Sequence, residues 1–318
     1  MTTISDTLRG LSLGEPTTFL NLTVFPLHSN KRFARNYLTL REAIGNRTAT
    51  VREISAGGSV PELQLQNTGK QPVLILDGEE LIGAKQNRTA NVTILAPAGK
   101  TVHIPVTCVE AGRWSYASRD FAPSEQMHYS AGRKTKMASV YASLSTRGDK
   151  SADQHQVWGE IGDKAQRMRT SSPTGAMTDI YSSHQHSIND YVGAFTAAPD
   201  QVGAVFAIGK RVEGLELFDC HDTLTDLLPK LIRSYAIDAL ETRGATPKRA
   251  KPKRAREFLQ LVIEAPVETF PAVGLGTEIR MSAEGLIAGG LVLMMLGLVA
   301  MGLWLSPTAG FWVFFLPL

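Results

Sequence analysis

Side chains that can bind or catalyse are concentrated in residues 77–91, which read DGEELIGAKQNRTAN. This segment follows the apolar run of residues 72–76 and precedes a second predicted strand at residues 92–95. Glu79 and Glu80 are candidate general acids or bases, since burial can tune the pKa of a carboxyl group. The side chains after them are typical of an anion-binding site: Lys85, Gln86, Asn87 and Arg88.

A second polar cluster, residues 108–114 (CVEAGRW), follows the predicted strand of residues 102–106. It supplies a third candidate catalytic carboxylate, Glu110, together with Arg113 and Trp114. If strands 72–76 and 102–106 share one sheet, the two clusters emerge near one edge. Carboxylates, cations, amides and an indole together favour a ligand with phosphate and ribose groups, or a general acid–base site. The alternative is a solvated hairpin whose charges pair with each other.

Other candidate motifs are weaker. His184 and His186 form an HxH pair without evident third and fourth ligands, so no metal site is predicted. The run Cys220-His221-Asp222 contains a nucleophile, a base and an acid, but adjacent side chains point in different directions. The sequence contains no Walker A loop, GxSxG elbow or HExxH motif. The sequence therefore does not identify a cofactor.

The elements that must position these groups change in character along the chain. Residues 14–125 are predicted to be β-rich, and helices are predicted at 125–145, 153–169 and 177–197. Strands at 202–208 and 215–218 precede an amphipathic helix at 222–241, which Asp222 or Thr223 is expected to cap. A helix or strand at 257–270 ends this part. Because strands and helices do not alternate regularly, we predict an α+β fold with a β-rich N-terminal part, a helical middle and a mixed C-terminal part.

Composition sets further bounds on the class of protein. The chain has 318 residues, 43% of them hydrophobic and 20% charged, which is typical of a globular protein. A net charge of +3 does not favour specific nucleic-acid binding. Cys108 and Cys220 are far apart, so we expect reduced thiols and a cytoplasmic location. We predict a flexible N-terminus at 1–14, one domain at 15–283 with a basic loop at 242–256, and an apolar tail at 284–318. The oligomeric state stays open.

The tail permits two interpretations. Residues 285–318 carry no charged side chain, and residues 286–305 have the length of a transmembrane helix. Basic residues precede this run, so a C-terminal membrane anchor would leave the domain facing the cytoplasm. Residues 285–292 (GLIAGGLV) are also typical of a buried strand.

The block from Leu76 to Trp114, LDGEELIGAKQNRTANVTILAPAGKTVHIPVTCVEAGRW, resembles the ARG-and-rhodanese-phosphatase-superfamily-associated protein family. Weaker matches are NLTVFPL near residue 21, QVWGEI at 156, residues 205–218, LLPKLIRSYAIDAL and PAVGLGTEIR, so the resemblance covers about residues 15–292. The resemblance implies that a segment like GLIAGGLV is followed by a short, more polar closing strand, whereas here an apolar tail follows it.

The resemblance implies a domain of uncharacterised reaction, associated with ADP-ribosylglycohydrolases and phosphatase-like proteins and connected with ADP-ribose or NAD metabolism. We therefore expect the two polar clusters to bind or process an ADP-ribose-like nucleotide. The alternatives are a non-enzymatic, membrane-tethered interaction or scaffold protein and, less favoured, a metal-dependent hydrolase built on His184 and His186.

Overall fold

The computed structural model describes residues 4–242, 249–284, 286–293 and 310–317. The strands of these residues are β1 (Leu11–Leu13), β2 (Thr17–Phe19), β3 (Leu22–Ser29), β4 (Leu38–Thr39), β5 (Ala49–Glu53), β6 (Glu62–Asn67), β7 (Val73–Ile75), β8 (Glu79–Gly83), β9 (Arg88–Ala90), β10 (Ile94–Ala96), β11 (Thr101–Cys108), β12 (Phe121–Met127), β13 (Gln201–Ile208), β14 (Arg211–Leu217), β15 (Val267–Pro271), β16 (Thr277–Ala283), β17 (Leu286–Leu293) and β18 (Gly310–Pro317).

Most helices lie after β12, and two short helices lie before β5. They are α1 (Ile4–Arg9), α2 (Leu40–Gly45), α3 (Ser130–Arg147), α4 (Gln154–Arg167), α5 (Met177–Ser183), α6 (Gln185–Gly193), α7 (His221–Glu241) and α8 (Pro252–Glu264). The prediction of an α+β fold is confirmed.

The largest sheet has the antiparallel order β1-β3-β13-β14-β18-β17-β16-β15, and β2 pairs with β3 beside this path. Side chains alternate between its faces, as the pleat requires. On β13, Ala204 and Phe206 pack toward α7, whereas Val205 and Ala207 pack toward α1 and α8. The Phe206 ring stacks on that of Tyr235 in α7, with centroids 4.1 Å apart. The sheet is therefore covered by helices on both faces.

A closed barrel carries most of the polar residues singled out in the sequence. Its strand order is β11-β6-β5-β12-β8-β9. Val51, Leu63, Leu81, Ile104 and Phe121 belong to the apolar cluster that fills it. A three-stranded sheet, β10-β7-β4, extends this part of the molecule. Because the barrel brings together strands up to about 75 residues apart, it can assemble a site that no local motif announces.

Residues 77–91, which connect two predicted strands, themselves form a hairpin of two strands. The segment contains β8 and β9, which pair with each other in the barrel wall, with Glu80 opposite Thr89 and Leu81 opposite Arg88. Most polar side chains there are buried, and Lys85 is partly exposed. Partners inside the protein satisfy most of their hydrogen-bonding groups, which is the condition under which polar side chains can be buried.

Three helix predictions need correction. Residues 125–127 complete β12, which pairs with β8 and β5, and α3 begins only at Ser130. The predicted helix at 177–197 is two helices that meet at His184. Cys220, not Asp222 or Thr223, is the N-cap residue of α7, and its side chain makes no capping hydrogen bond. In contrast, α4 lies within the predicted helix, and Asp153 caps it by accepting hydrogen bonds from the amides of His155 (3.0 Å) and Gln156 (3.1 Å).

Both predicted flexible segments contain regular structure. At the N-terminus, α1 packs Leu8 fully buried against the same apolar cluster as α8, so the segment 1–14, predicted to be flexible, contains a helix and a strand within residues 4–13. The predicted basic loop at 242–256 is wrong from Pro252, where α8 begins. Proline is well suited to that position because its missing N–H has no helical partner there.

The first part of the apolar tail is a strand, as the second interpretation of that sequence predicted. β17 pairs antiparallel with β16 along its length, Met281 lying opposite Ala288 and Ile279 opposite Gly290. A transmembrane helix that starts at Leu286 is therefore wrong for residues 286–293. Among the described residues, no helix combines the length and the apolar character that crossing a membrane requires. Residues 294–309 of the predicted anchor lie outside the described residues.

Candidate functional site

Arg88 and Glu53 form a buried polar pair inside one end of the barrel. Glu53 follows Ala49 and Val51 at every second position of β5, and Arg88 precedes Ala90 on β9 in the same way, so both point inward. The Nη2 of Arg88 lies 4.0 Å from the Oε1 of Glu53. Burial lowers the pKa of Arg88, and the nearby carboxylates only partly oppose this effect.

The hydrogen bonds of this pair are incomplete. Nη1 of Arg88 donates to the backbone oxygen (3.1 Å) and the side-chain Oε1 (2.8 Å) of Gln86. Nε and Nη2 of Arg88, and Oε1 of Glu53, have no hydrogen-bond partner among the described residues. Buried polar atoms normally have partners, so a group of this kind marks a place where a ligand or an ordered water can bind.

Two aromatic rings and a lysine lie above the buried pair. The guanidinium carbon of Arg88 is 5.4 Å from the ring centre of Trp114. The Nζ of Lys85 is 5.4 Å from the Trp114 ring centre and 5.1 Å from that of Tyr116. Both distances are within the range of cation–π attraction. Trp114 is 47% exposed and Tyr116 is 52% exposed, although both are large and partly apolar.

A tight turn closes this end of the barrel. Gly58 has φ = +79°, and a Cβ atom there would lie 3.2 Å from the Trp114 ring and 3.3 Å from the carboxylate of Glu53. Glycine permits both this conformation and this close approach. Lys85 is held to the same turn by a 2.7 Å hydrogen bond from its Nζ to the backbone oxygen of Gly57.

An open groove of about 780 Å³ runs beside the turn, and Glu53 lines it. We call this groove, together with Lys85, Arg88 and Trp114, the barrel mouth. Two further arginines line the groove. Arg52 forms an ion pair with Asp120 at 2.5 Å, while Arg119 is exposed. Tyr116 and Ser118 complete the wall on the same side.

Glu110 and Arg113 hold the neighbouring hairpin together. Arg113 donates to both carboxylate oxygens of Glu110 (2.9 and 2.7 Å), and also to the backbone oxygen of Ala84 (2.6 Å) and to Oδ1 of Asn87 (3.1 Å). Burial acts to raise the pKa of Glu110, but these hydrogen bonds outweigh it and lower that pKa. Such saturated groups position a neighbouring site and have few hydrogen-bonding atoms left for a ligand.

Glu79 and Glu80 point in opposite directions from β8, as neighbours on a strand must. Glu79 accepts a 2.6 Å hydrogen bond from Nζ of Lys230 in α7, and both side chains line a separate polar cleft of about 250 Å³. Glu80 packs on the outer side of the barrel and accepts a 2.8 Å hydrogen bond from Thr178 in α5. Burial raises the pKa of Glu80 to about 7.

The nine sequence-predicted site residues therefore separate into groups. Lys85, Arg88 and Trp114 meet at the barrel mouth, and Gln86 orients Arg88. Asn87, Glu110 and Arg113 form the hairpin network, while the carboxylates of Glu79 and Glu80 lie elsewhere. The prediction of a hairpin whose charges pair with each other describes the second group, although that group is buried, not solvated.

The sequence did not single out four residues of the barrel mouth and of the cleft beside Glu79: Glu53, Tyr116, Arg119 and Lys230. Tyr116 could have been identified from the sequence, because an aromatic residue two positions after Trp114 extends the same cluster.

The cysteine and histidine motifs do not form a catalytic group. Burial raises the pKa of Cys108 to about 11, which leaves its thiol protonated at neutral pH. Cys220 contacts the hydroxyl of Thr223 at 3.2 Å, whereas His221 contacts the backbone oxygen of Gln201 at 2.9 Å, so the two side chains have different partners. Within the described part of the chain, no three metal-ligating side chains lie together.

The fold and these sites define an α+β protein in which a helix-covered antiparallel sheet adjoins a polar-mouthed barrel. The family model of the ARG and Rhodanese-Phosphatase-superfamily-associated Protein domain, ARPP-1, matches residues 10–303 of the chain. The protein belongs to this family, and the resemblance carried by residues 76–114 is confirmed. No curated protein and no solved structure matches the chain.

Proposed function

We propose that the barrel mouth binds a nucleotide-type ligand of the ADP-ribose class. The observation that carries the proposal is the incompletely bonded guanidinium of Arg88, which is fully buried 5.4 Å beneath an exposed tryptophan. Guanidinium groups bind phosphate and carboxylate oxygens through paired N–H donors. The atoms Nε and Nη2 are adjacent donors of this kind, and neither has a hydrogen-bond partner among the described residues.

The charges at the barrel mouth support an anionic ligand that also carries hydroxyl groups. Arg119 lines the groove, Lys85 lies beside its Tyr116 and the buried Arg88 lies beside its Glu53, so all three supply positive charge there. Glu53 supplies an acceptor, Oε1, which lies beside Arg88 and has no hydrogen-bond partner among the described residues. Carboxylates accept hydrogen bonds from ribose hydroxyls in other nucleotide sites. A phosphate near Arg88 and a ribose hydroxyl near Glu53 would satisfy both members of the pair.

The aromatic residues support a ligand with a planar group. Trp114 and Tyr116 both lie about 5 Å from the same Lys85 ammonium group, and about half of each side chain is exposed. Stacking of a base on such a ring contributes about 1–3 kcal/mol to binding. For the ligand to reach Arg88, the Trp114 ring must move, and its exposure leaves room for that rotation.

Binding is supported better than processing. Glu80 is the candidate carboxylate with a pKa near neutrality, but it lies on the outer side of the barrel wall, opposite to the face that carries Arg88. Glu110 is saturated by Arg113, and Glu79 by Lys230. None of these three carboxylates lines the groove at the barrel mouth.

Thermal shift with ADP-ribose, NAD, AMP and ribose 5-phosphate tests the proposal. A ligand at about 100 times its Kd stabilises the folded state by roughly 2.7 kcal/mol, which raises Tm by a few degrees. Trp114→Ala and Arg119→Ala change exposed side chains and should reduce the shift without loss of folding. Lys100→Ala, on an exposed turn outside the groove, is the control. If no ligand shifts Tm, or if Trp114→Ala leaves the shift intact, the proposal fails.

A non-enzymatic interaction protein is the second candidate, and one specific observation favours it. The hairpin network uses its own charges internally and leaves Trp114 and Tyr116 exposed on either side of Lys85. Tryptophan and tyrosine are typical of the centres of protein interfaces. A photocrosslinking residue at position 116 should then capture one defined protein in cells, in a manner that ADP-ribose does not compete with. Competition by ADP-ribose would instead indicate that these aromatic residues belong to the ligand site.

A further inference from the structure

A strongly basic groove, which shares no lining residue with the barrel mouth, lies between α8 and the β13–β14 turn. Its volume is about 1010 Å³. Among the described residues, its lining combines one carboxylate, Glu257, with six basic residues: Lys210, Arg211, Arg249, Lys251, Lys253 and Arg254. We call this surface the α8 groove.

The positive charge of the α8 groove is only weakly compensated. Glu257 lies 3.3 Å from Arg254 and 3.8 Å from Lys253, and the side chains of those two cations are 70% and 83% exposed. Exposed pairs of this kind contribute little and are easily exchanged for another anion. Arg211 pairs with Glu213 instead, at 2.7 Å. The groove therefore presents a positive field to solvent, which attracts and orients acidic partners.

The floor of the α8 groove is apolar. Val212, Ala250, Phe258 and Leu261 contribute to its lining. Leu261 is 42% exposed, although leucine on an amphipathic helix usually faces the core. Phe258 is only 9% exposed and packs with Leu259 in the core beneath α8, so Leu261 is the large apolar side chain that the groove exposes. A partner that fits this groove must therefore combine negative charge with bulky apolar side chains.

Helix α8 begins at the same surface. It has 13 residues, and Lys251 at its N-cap position makes no side-chain capping hydrogen bond. The first amides of a helix lack internal acceptors and favour a negative group. In α8, Pro252 has no N–H and the Arg254 amide donates to the backbone oxygen of Lys251 at 2.9 Å, so this end contributes the positive end of the helix dipole beside the cations Lys251, Lys253 and Arg254.

From these observations we propose that the α8 groove docks an acidic peptide segment that carries bulky apolar residues, a function separate from ligand binding at the barrel mouth. Single-stranded nucleic acid would need exposed rings for stacking, and Phe258 is only 9% exposed. A membrane surface would need a convex or flat apolar face, whereas this surface is concave. An acidic and apolar peptide matches both the charge and the shape of the groove.

Fluorescence polarisation on the full-length chain tests this proposal. The probe is a fluorescein-labelled peptide that alternates Glu with Leu, and the comparison peptides alternate Gln with Leu and Glu with Ser. We expect the Glu–Leu peptide to bind and both comparison peptides to bind at least about tenfold more weakly, with affinity that falls as salt is added. Equal binding of either comparison peptide would overturn the proposal.

Variants place the peptide in the groove. The double substitution Lys253→Glu with Arg254→Glu should weaken binding of the Glu–Leu peptide by roughly tenfold or more. Leu261→Ser should also weaken it, although the exposed side chain leaves folding intact. The charge-matched control, Lys70→Glu with Lys100→Glu, changes two exposed lysines outside the groove and should leave affinity unchanged. If the control weakens binding equally, or if oligothymidylate or phosphatidylserine vesicles displace the peptide at lower concentration than unlabelled peptide does, the proposal is overturned.

Discussion

The Nη2 of Arg88 and the Oε1 of Glu53 lie 4.0 Å apart inside the barrel, and neither atom has a hydrogen-bond partner among the described residues. The pair attracts, but it does not close a hydrogen bond. A buried ion pair of incomplete geometry stabilises the fold poorly, because desolvation offsets much of the attraction. The arrangement is better explained as preparation for a polar ligand than as a contribution to stability.

A double-mutant cycle tests this relationship in the unliganded protein. Arg88→Met leaves Glu53 buried without its cation, and removal of one partner of a buried pair costs about 3–5 kcal/mol. Glu53→Gln combined with Arg88→Met removes both charges, so it should recover more than half of that loss. Urea denaturation measures each free energy of unfolding. A loss in the double variant equal to the sum of the losses in Arg88→Met and Glu53→Gln would show that the two side chains are not coupled.

Stability should depend on pH through Glu80. Burial raises the pKa of this carboxyl from an ordinary value of 4.5 to about 7, so the folded state binds its proton more tightly than the unfolded state does. The free energy of unfolding should therefore fall as pH rises from about 4.5 to about 7, by at most about 3 kcal/mol from this group. Above that range its contribution is constant.

The substitution Glu80→Gln isolates this contribution. At pH 8 the variant should be more stable than the natural protein, and the advantage should disappear near pH 4, where Glu80 is protonated in both states. The same substitution at the exposed Glu264 controls for the general effect of removing one negative charge. Urea denaturation at several pH values provides the measurement. An advantage of Glu80→Gln that does not change with pH would contradict the assignment.

Gly78 should tolerate no side chain. It has φ = +84°, and a Cβ atom there would lie 2.8 Å from Cγ of Arg133, a buried side chain that pairs with Glu216 at 2.7 Å. Gly78→Ala should therefore cost more than the 1–2 kcal/mol or so of a left-handed backbone alone. Gly99→Ala is a matched control, since Gly99 has φ = +66° with open space around it. If urea denaturation shows similar losses of unfolding free energy for Gly78→Ala and Gly99→Ala, a steric clash with Arg133 does not contribute at Gly78.

Both cysteines should be unreactive in the folded protein. Cys108 and Cys220 are buried, and burial raises the pKa of each thiol, to about 11 for Cys108. Because the thiolate is the reactive form, a thiol-specific disulfide reagent should modify both cysteines slowly in buffer and rapidly in urea. Fast modification of the folded protein would show that one of the sites opens.

The sequence predicted elements where one physical signal dominates. The apolar run at residues 72–76 contains β7, and the periodic leucines at 222–241 form α7. Only residues 125–127 of β12 fall within the predicted helix at 125–145, and β12 buries Phe121, Ser124 and Met127 at intervals of three, so it lacks the alternation typical of a strand. The barrel could not be inferred because its closure depends on pairing between distant strands.

The candidate site was predictable only where it is local. Lys85, Arg88 and Trp114 were identified because they lie in dense polar clusters. Glu53 stands 35 residues before Arg88 in an unremarkable strand, and only barrel closure brings the two together. Lys230 meets Glu79 across 151 residues of chain. Which glutamate faces which side was also undetermined, since the strand register decides it.

Calorimetric titration of the full-length protein with ADP-ribose tests the central proposal most directly. We predict saturable heat with one binding site, strongly reduced in Arg88→Lys, which keeps the charge but loses the adjacent donors, and in Trp114→Ala. Lys100→Ala should bind as the natural protein does. Absence of heat with ADP-ribose and NAD, or unchanged binding in both Arg88→Lys and Trp114→Ala, would contradict a nucleotide site at the barrel mouth.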